Sequence, residues 1–146
     1  MEWKEYFLNI AEQVKLKSKD RSTQIGAVIV GKNKEILSTG YNSFPRGLDD
    51  NLPERQERPI KYFYFEHAER NAIYKAARLG ISLKNTKMYC TYFPCVDCAR
   101  AIIQAGIIKL YTNKPDLNHE KWGESWVNAI IMFKECGVEI IWTNEV

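Results

Sequence analysis

Two short clusters of chemistry-bearing residues, far apart in the chain, limit what this sequence can fold into. The first is His67-Ala68-Glu69 and the second is Pro94-Cys95-Val96-Asp97-Cys98. Each sits where a helical pattern begins. Residues 66–79 place Ala68, Ala72, Ile73, Ala76 and Ala77 on one helical face, and Gly80 stops the pattern. Residues 86–92 read as a strand and lead into a helical stretch over 96–105 that ends at Gly106. For both clusters to act on one molecule, the two helix starts must meet. Parallel α/β units achieve this, because they bring helix starts to the same edge of a sheet.

The rest of the chain fits such a sheet. Residues 2–17 carry Trp3, Phe7, Ile10, Ala11, Val14 and Leu16 at amphipathic helical spacing. The β-branched run over 25–30 and the segment 35–41 flank Gly31-Lys32-Asn33-Lys34, a turn signal, and together predict a β-hairpin. Residues 43–63, with Pro45, Gly47, Pro53 and Pro59, form a long loop, and loops of this length are often functional. Residues 107–112 read as a strand, 122–136 as a helix bearing Trp126, Ala129, Ile130 and Phe133, and 138–143 as a last strand. A hairpin followed by α-β-α-β-α-β implies one mixed sheet with helices on its faces. At 146 residues the chain is one domain, 1–146, with no linker, repeat or low-complexity segment.

The residue types in the two clusters suit zinc. Cys thiolate and His nitrogen are its ordinary ligands, and a structural site closes with four of them. His67, Cys95 and Cys98 offer three, which leaves a fourth position for water, the catalytic arrangement. Glu69 is then free to act as acid and base, and helix N-termini favour thiolate at Cys95 and Cys98. A thioredoxin-like redox pair would not need the upstream His-x-Glu.

Composition narrows the class further. Apolar residues are 45% and charged residues 27% of the chain, as in a folded globular protein. The formal charge of +3 is mild for a duplex- or RNA-binding surface, so nucleic acid is not expected as a partner. No apolar run approaches a membrane span and the N-terminal residues carry no signal-peptide core, so a cytoplasmic protein is expected. Cys90 falls on a strand and reads as core, and neither Cys136 nor His119 has the spacing of a second metal site.

H-x-E followed by P-C-x-x-C is the zinc deaminase signature, and the sequence resembles the deoxycytidylate (dCMP) deaminases of the cytidine/deoxycytidylate deaminase superfamily over most of its length. Residues 18–28, Gly40-Tyr41-Asn42-Ser43-Phe44-Pro45-Arg46-Gly47, residues 66–72 and residues 91–99 carry the resemblance. It implies a cytidine deaminase-like three-layer α/β/α sandwich with a five-stranded mixed sheet, a Zn2+ cofactor, and dCMP as substrate. His67, Cys95 and Cys98 would bind the zinc. Glu69 would relay a proton from the attacking water to N3 of the cytosine and then to the leaving ammonia. Asn42 would contact the sugar, and the backbone N–H of Ala68 the base carbonyl. Family members are commonly dimers or hexamers, so a homo-oligomer is expected. Some bind dCTP or dTTP as allosteric effectors at the segment where this chain has Ser43 in place of glycine. Serine adopts positive φ less freely, which weighs against that regulation.

A substrate monophosphate needs cationic or N–H donors. Arg21 and Arg46, inside family-like blocks, lead the candidates, ahead of Lys19, Arg55, Arg58 and Lys61, which also suit solvated surface positions. Trp122, Trp126 and Phe133 read as core or subunit interface, and the aromatic run 62–65 as core or a wall of the base pocket. Competing readings are deamination of another base, including tRNA adenosine, and a nucleotide-binding regulator on the same fold. Retention of Glu69 favours an enzyme.

Overall fold

β1 (Gly26–Val30), Gly-Ala-Val-Ile-Val, is buried along its whole length. A strand buried at every position needs cover on both faces of its sheet. The computed structural model, which describes residues 1–144, supplies that cover. Ala27 and Ile29 pack in a cluster with Ala68, Ala72, Met88 and Leu110. Val28 and Val30 pack on the opposite face with Phe7, Ala11 and Tyr89.

The remaining elements are α1 (Trp3–Val14), β2 (Ile36–Tyr41), α2 (Lys61–Tyr64), α3 (Ala68–Leu79), β3 (Thr86–Cys90), α4 (Val96–Ala105), β4 (Ile107–Thr112), α5 (Gly123–Glu135) and β5 (Glu139–Trp142). The sheet has five strands in the order β2-β1-β3-β4-β5. β1 runs antiparallel to both β2 and β3, while β3, β4 and β5 are mutually parallel. β2 therefore points the same way as β3, and α3, α4 and α5 are successive crossovers between parallel strands. All three contribute to the larger apolar cluster on one face, and α1 covers the other. This is the expected three-layer arrangement, and it starts α3 and α4 from the same sheet edge.

The departures from the expected boundaries have local causes. The helix expected over 2–17 gives way after Val14 to a 3-10 turn at Lys15–Lys17. The helix expected from residue 66 begins at Ala68, because His67 keeps an extended backbone (φ −81°, ψ 151°) as N-cap. The strand expected to reach 92 ends at Cys90, where the Thr91 N–H turns to the Gly26 carbonyl. The loop over 43–63 is ordered by a 3-10 turn at Pro53–Gln56 and by α2. Ser43 carries no positive φ and forms an antiparallel bridge with Glu66, so the glycine that the resemblance expects there is not required by the backbone. Among the described residues, no helix is long and apolar enough to cross a membrane.

Gly40 sets the height of α3 above the sheet. A Cβ there would lie 2.3 Å from the Ala68 carbonyl oxygen and 2.5 Å from the Ala72 nitrogen. The Ser38 hydroxyl donates to the Ala72 carbonyl at 2.7 Å, fastening the helix at that distance. Gly40→Ala must lift the start of α3, which overpacking arguments put at about 1–3 kcal/mol. A lower midpoint in chemical denaturation is the expected result; an unchanged midpoint would contradict the close approach.

Candidate metal centre and active-site cavity

His67 is the N-cap of α3, Cys95 is the N-cap of α4, and Cys98 lies in the first turn of α4. The shared sheet edge brings these helix starts together. His67 Nδ1 is 3.5 Å from Cys95 Sγ and 3.3 Å from Cys98 Sγ. The three ligating atoms all lie within 4.8 Å of one another. First-turn N–H groups have no intrahelical acceptor, and their positive field favours thiolate.

The protonation pattern follows from that crowding. The hydrogen bond with Cys98 outweighs burial and, with help from His67, brings the Cys95 thiol down to about 4. The same hydrogen bond and burial push Cys98 up, since the pair shares a proton. The bond to Cys95 raises the His67 imidazole against burial. Such a triad holds protons where a divalent cation would displace them.

Glu69 is only 3% exposed, on the turn of α3 that follows His67. Burial pushes its carboxyl up. Its Oε1 has no hydrogen-bond partner, and leaving such an oxygen buried costs about 1–3 kcal/mol. One nitrogen and two sulfur ligands with an open fourth position, beside an unsatisfied carboxylate oxygen, fit a catalytic zinc.

The centre opens into a cavity of about 910 Å³ whose lining includes His67, Glu69, Cys95, Asn42, Phe65 and Trp122. Asn42 is buried and rigidly held. Its amide N–H groups donate to Asp20 Oδ2 at 3.2 Å and to the Thr23 carbonyl at 2.8 Å. Its Oδ1 accepts from the Ile25 N–H at 2.8 Å. Only the second lone pair of Oδ1 is left to face the cavity, so Asn42 can receive a hydroxyl hydrogen but has none to give. Ala68 opens α3, and its N–H is one of those without an intrahelical acceptor.

Asn42 is held in turn by a buried ion pair. Lys61 Nζ lies 2.8 Å from Asp20 Oδ1, and each side chain is only 7% exposed. Burial opposes ionisation of Asp20. Lys61 and the N–H groups of Ser22 and Thr23 overcome it and hold the carboxyl below its usual range.

Two of the expected phosphate ligands are elsewhere. Arg21 and Arg46 are exposed, and neither lines the cavity. Asp20 turns inward at that bend while the Arg21 N–H goes to Gln56 Oε1 at 3.3 Å, leaving the Arg21 side chain to solvent. Arg46 stands with Arg78 near Lys75, whose ammonium is pulled down by burial and by both charges. The cavity cations are Arg58, Lys61, Arg70, Arg100 and Lys121. Nothing in the local sequence distinguishes Lys121 from a surface lysine. Cys90 is core as expected and Cys136 is exposed. His119 Nδ1 accepts from the N–H groups of Lys121 and Trp122, both at 3.1 Å, and so shapes the approach to α5. Among the described residues, only His67, Cys95 and Cys98 group as metal ligands.

This geometry suits a catalytic zinc centre, and the chain belongs to the cytidine and deoxycytidylate deaminase family, whose zinc-binding region matches residues 1–114. His67, Cys95 and Cys98 are positioned to hold that zinc. Among relatives, the mouse deoxycytidylate deaminase is 41% identical, covering 94% of this chain and 78% of its own. An uncharacterized deaminase from the luxG 3′ region of Aliivibrio fischeri is 42% identical, covering 96% of this chain and 92% of its own. The cyanophage S-TIM5 dCMP deaminase in complex with dCMP and dUMP superposes with a TM-score of 0.77 at 29% identity, covering 96% of both chains.

Asp20→Asn tests the buried pair. A depressed carboxyl contributes stability above its unfolded pKa of about 3.9 and loses it as pH falls through the lower folded value. Wild type is therefore expected to exceed the variant in unfolding free energy at pH 7 by about 3–5 kcal/mol, as for a broken buried pair. The gap should narrow below about pH 4. A gap that stays constant down to pH 2 would show that the charge of Asp20 contributes nothing.

Proposed function

We propose that this protein is a deoxycytidylate deaminase, converting dCMP and water to dUMP and ammonia. The observation that carries the reading is the unpartnered Oε1 of buried Glu69 beside the three ligand atoms. The relatives named deoxycytidylate deaminase and the cyanophage enzyme bound to dCMP and dUMP support the choice of substrate.

Zinc held by His67, Cys95 and Cys98 would supply a Lewis acid that makes water a nucleophile at neutral pH. The remaining work falls to the chain. Glu69 takes a proton from the attacking water and delivers it to N3 of the cytosine. It then carries the second proton to the departing amino group, so that C4 gains oxygen as it loses ammonia. A carboxyl raised by burial suits both directions, because a proton shuttle works best with a pKa near the working pH. The Ala68 N–H donates to the base carbonyl, and Asn42 Oδ1 accepts from a sugar hydroxyl. The cavity walls Phe65 and Trp122 shield the base from bulk water.

Turnover of dCMP, CMP and deoxycytidine by zinc-loaded protein, followed as ammonia release, tests the reading. dCMP is expected to be the preferred substrate. Glu69→Gln should lower kcat by about 10²–10⁴, the usual worth of acid–base catalysis, with zinc content unchanged. Preference for CMP or deoxycytidine would overturn the substrate assignment. Wild-type kcat in Glu69→Gln would remove Glu69 from the reaction.

A further inference from the structure

Asn42 follows β2, and Asp20, Thr23 and Ile25 orient its amide from the segment before β1. None of these partners belongs to α3, which His67 caps and which carries Glu69. The side-chain link between Asn42's segment and that helix runs through Asn71. Asn71 lies one turn into α3, and its N–H donates to the His67 carbonyl at 2.9 Å. Its side-chain amide has two hydrogens to give. One goes to the Tyr41 carbonyl at 2.8 Å and the other to the Ser43 hydroxyl oxygen at 3.1 Å. Tyr41 and Ser43 are the two chain neighbours of Asn42.

The main chain of Ser43 strengthens the same junction. Its N–H donates to the Glu66 carbonyl at 3.1 Å, and the Glu66 N–H donates back to the Ser43 carbonyl at 2.7 Å. Glu66 directly precedes the ligand His67. The hydroxyl anchor exists because serine stands where the resemblance expects glycine. Asn71 is half-buried, and neither Asn71 nor Ser43 lines the cavity, so neither is placed to touch a ligand there. What they set is a spacing. Glu69 works on the base and Asn42 on the sugar, and a nucleotide joins base and sugar at a fixed separation. A cavity that holds its two contacts at that separation beforehand spends less on ordering them when the ligand arrives.

We propose that Asn71 is a positioning residue: it clamps the Asn42 segment to the metal-bearing helix through Tyr41 and Ser43, and so sets the distance from the deamination centre to the sugar contact. This rests on the deoxycytidylate reading, in which Asn42 receives a sugar hydroxyl.

A ligand pair that differs only in that hydroxyl isolates the effect. Dissociation constants of dUMP and 2′,3′-dideoxyuridine monophosphate are measured calorimetrically for zinc-loaded wild type, Asn71→Ala, Ser43→Ala, Asn42→Ala, and Asn71→Ala combined with Asn42→Ala. Wild type is expected to hold dUMP at least about tenfold more tightly than the dideoxy ligand, because the latter leaves the Asn42 acceptor unsatisfied. Asn71→Ala should shrink that preference at least about fivefold with zinc content unchanged. Ser43→Ala keeps the main-chain bridge and should shrink it about two- to threefold. In the Asn42→Ala background, adding Asn71→Ala should change dUMP affinity by less than about twofold, since the clamp acts through Asn42.

A merely structural Asn71 would weaken both ligands alike and leave their ratio standing, and that result would overturn the clamp while the deoxycytidylate reading stands. An undiminished effect of Asn71→Ala in the absence of Asn42 would overturn it too. Should Asn71→Ala lose its zinc, Ser43→Ala decides, and an unchanged ratio there overturns the clamp. No preference in wild type would remove the sugar contact of Asn42 and the clamp with it. Failure of wild type to bind dUMP would overturn the deoxycytidylate reading itself.

Discussion

Everything chemical in this protein depends on two helix N-termini meeting at one sheet edge. His67 caps α3 and Cys95 caps α4, and the parallel β2-α3-β3-α4 path leaves them no other place to go. The helix starts bring more than position. Their free N–H groups favour the thiolate of Cys95 and leave the Ala68 N–H available to a ligand. The sheet brings the side chains within metal-binding distance without a dedicated loop.

That junction is supported from beneath and from the side. Gly40 lets α3 lie against β2 with nothing between the backbones. On the cavity's flank, Ser18, Asp20, Thr23, Asn42 and Lys61 form one hydrogen-bonded set that turns Asn42 into a fixed acceptor. A buried ion pair is a poor source of net stability. Its use here is orientation: Lys61 ties the segment before α3 to the turn after α1, and both members of the pair line the cavity.

The fold and the metal centre were legible because their signals are local or depend on residue type. The helix over 96–105 is bounded by Pro94-Cys95 and Gly106, and it is found where the pattern puts it. The ligands could be read because few side chains bind zinc and three of them stood at helix starts. The cavity wall was less legible, because its pairings are long-range. Lys61 and Asp20 are separated by 41 positions, and Lys121 and Tyr62 by 59. Arg21 and Arg46 stand inside family-like motifs, but a motif does not say which way a side chain faces, and both face solvent. Ser43 takes the place of the family's glycine in a backbone that carries no positive φ there.

The central claim is that the chain supplies three zinc ligands and keeps the fourth position open for water beside Glu69. X-ray absorption at the zinc edge of the purified protein tests it most directly. The account predicts one zinc per chain, with two sulfur neighbours at about 2.3 Å and two nitrogen or oxygen neighbours at about 2.0–2.1 Å. A shell of three or four sulfurs, or protein that does not bind zinc, would contradict it.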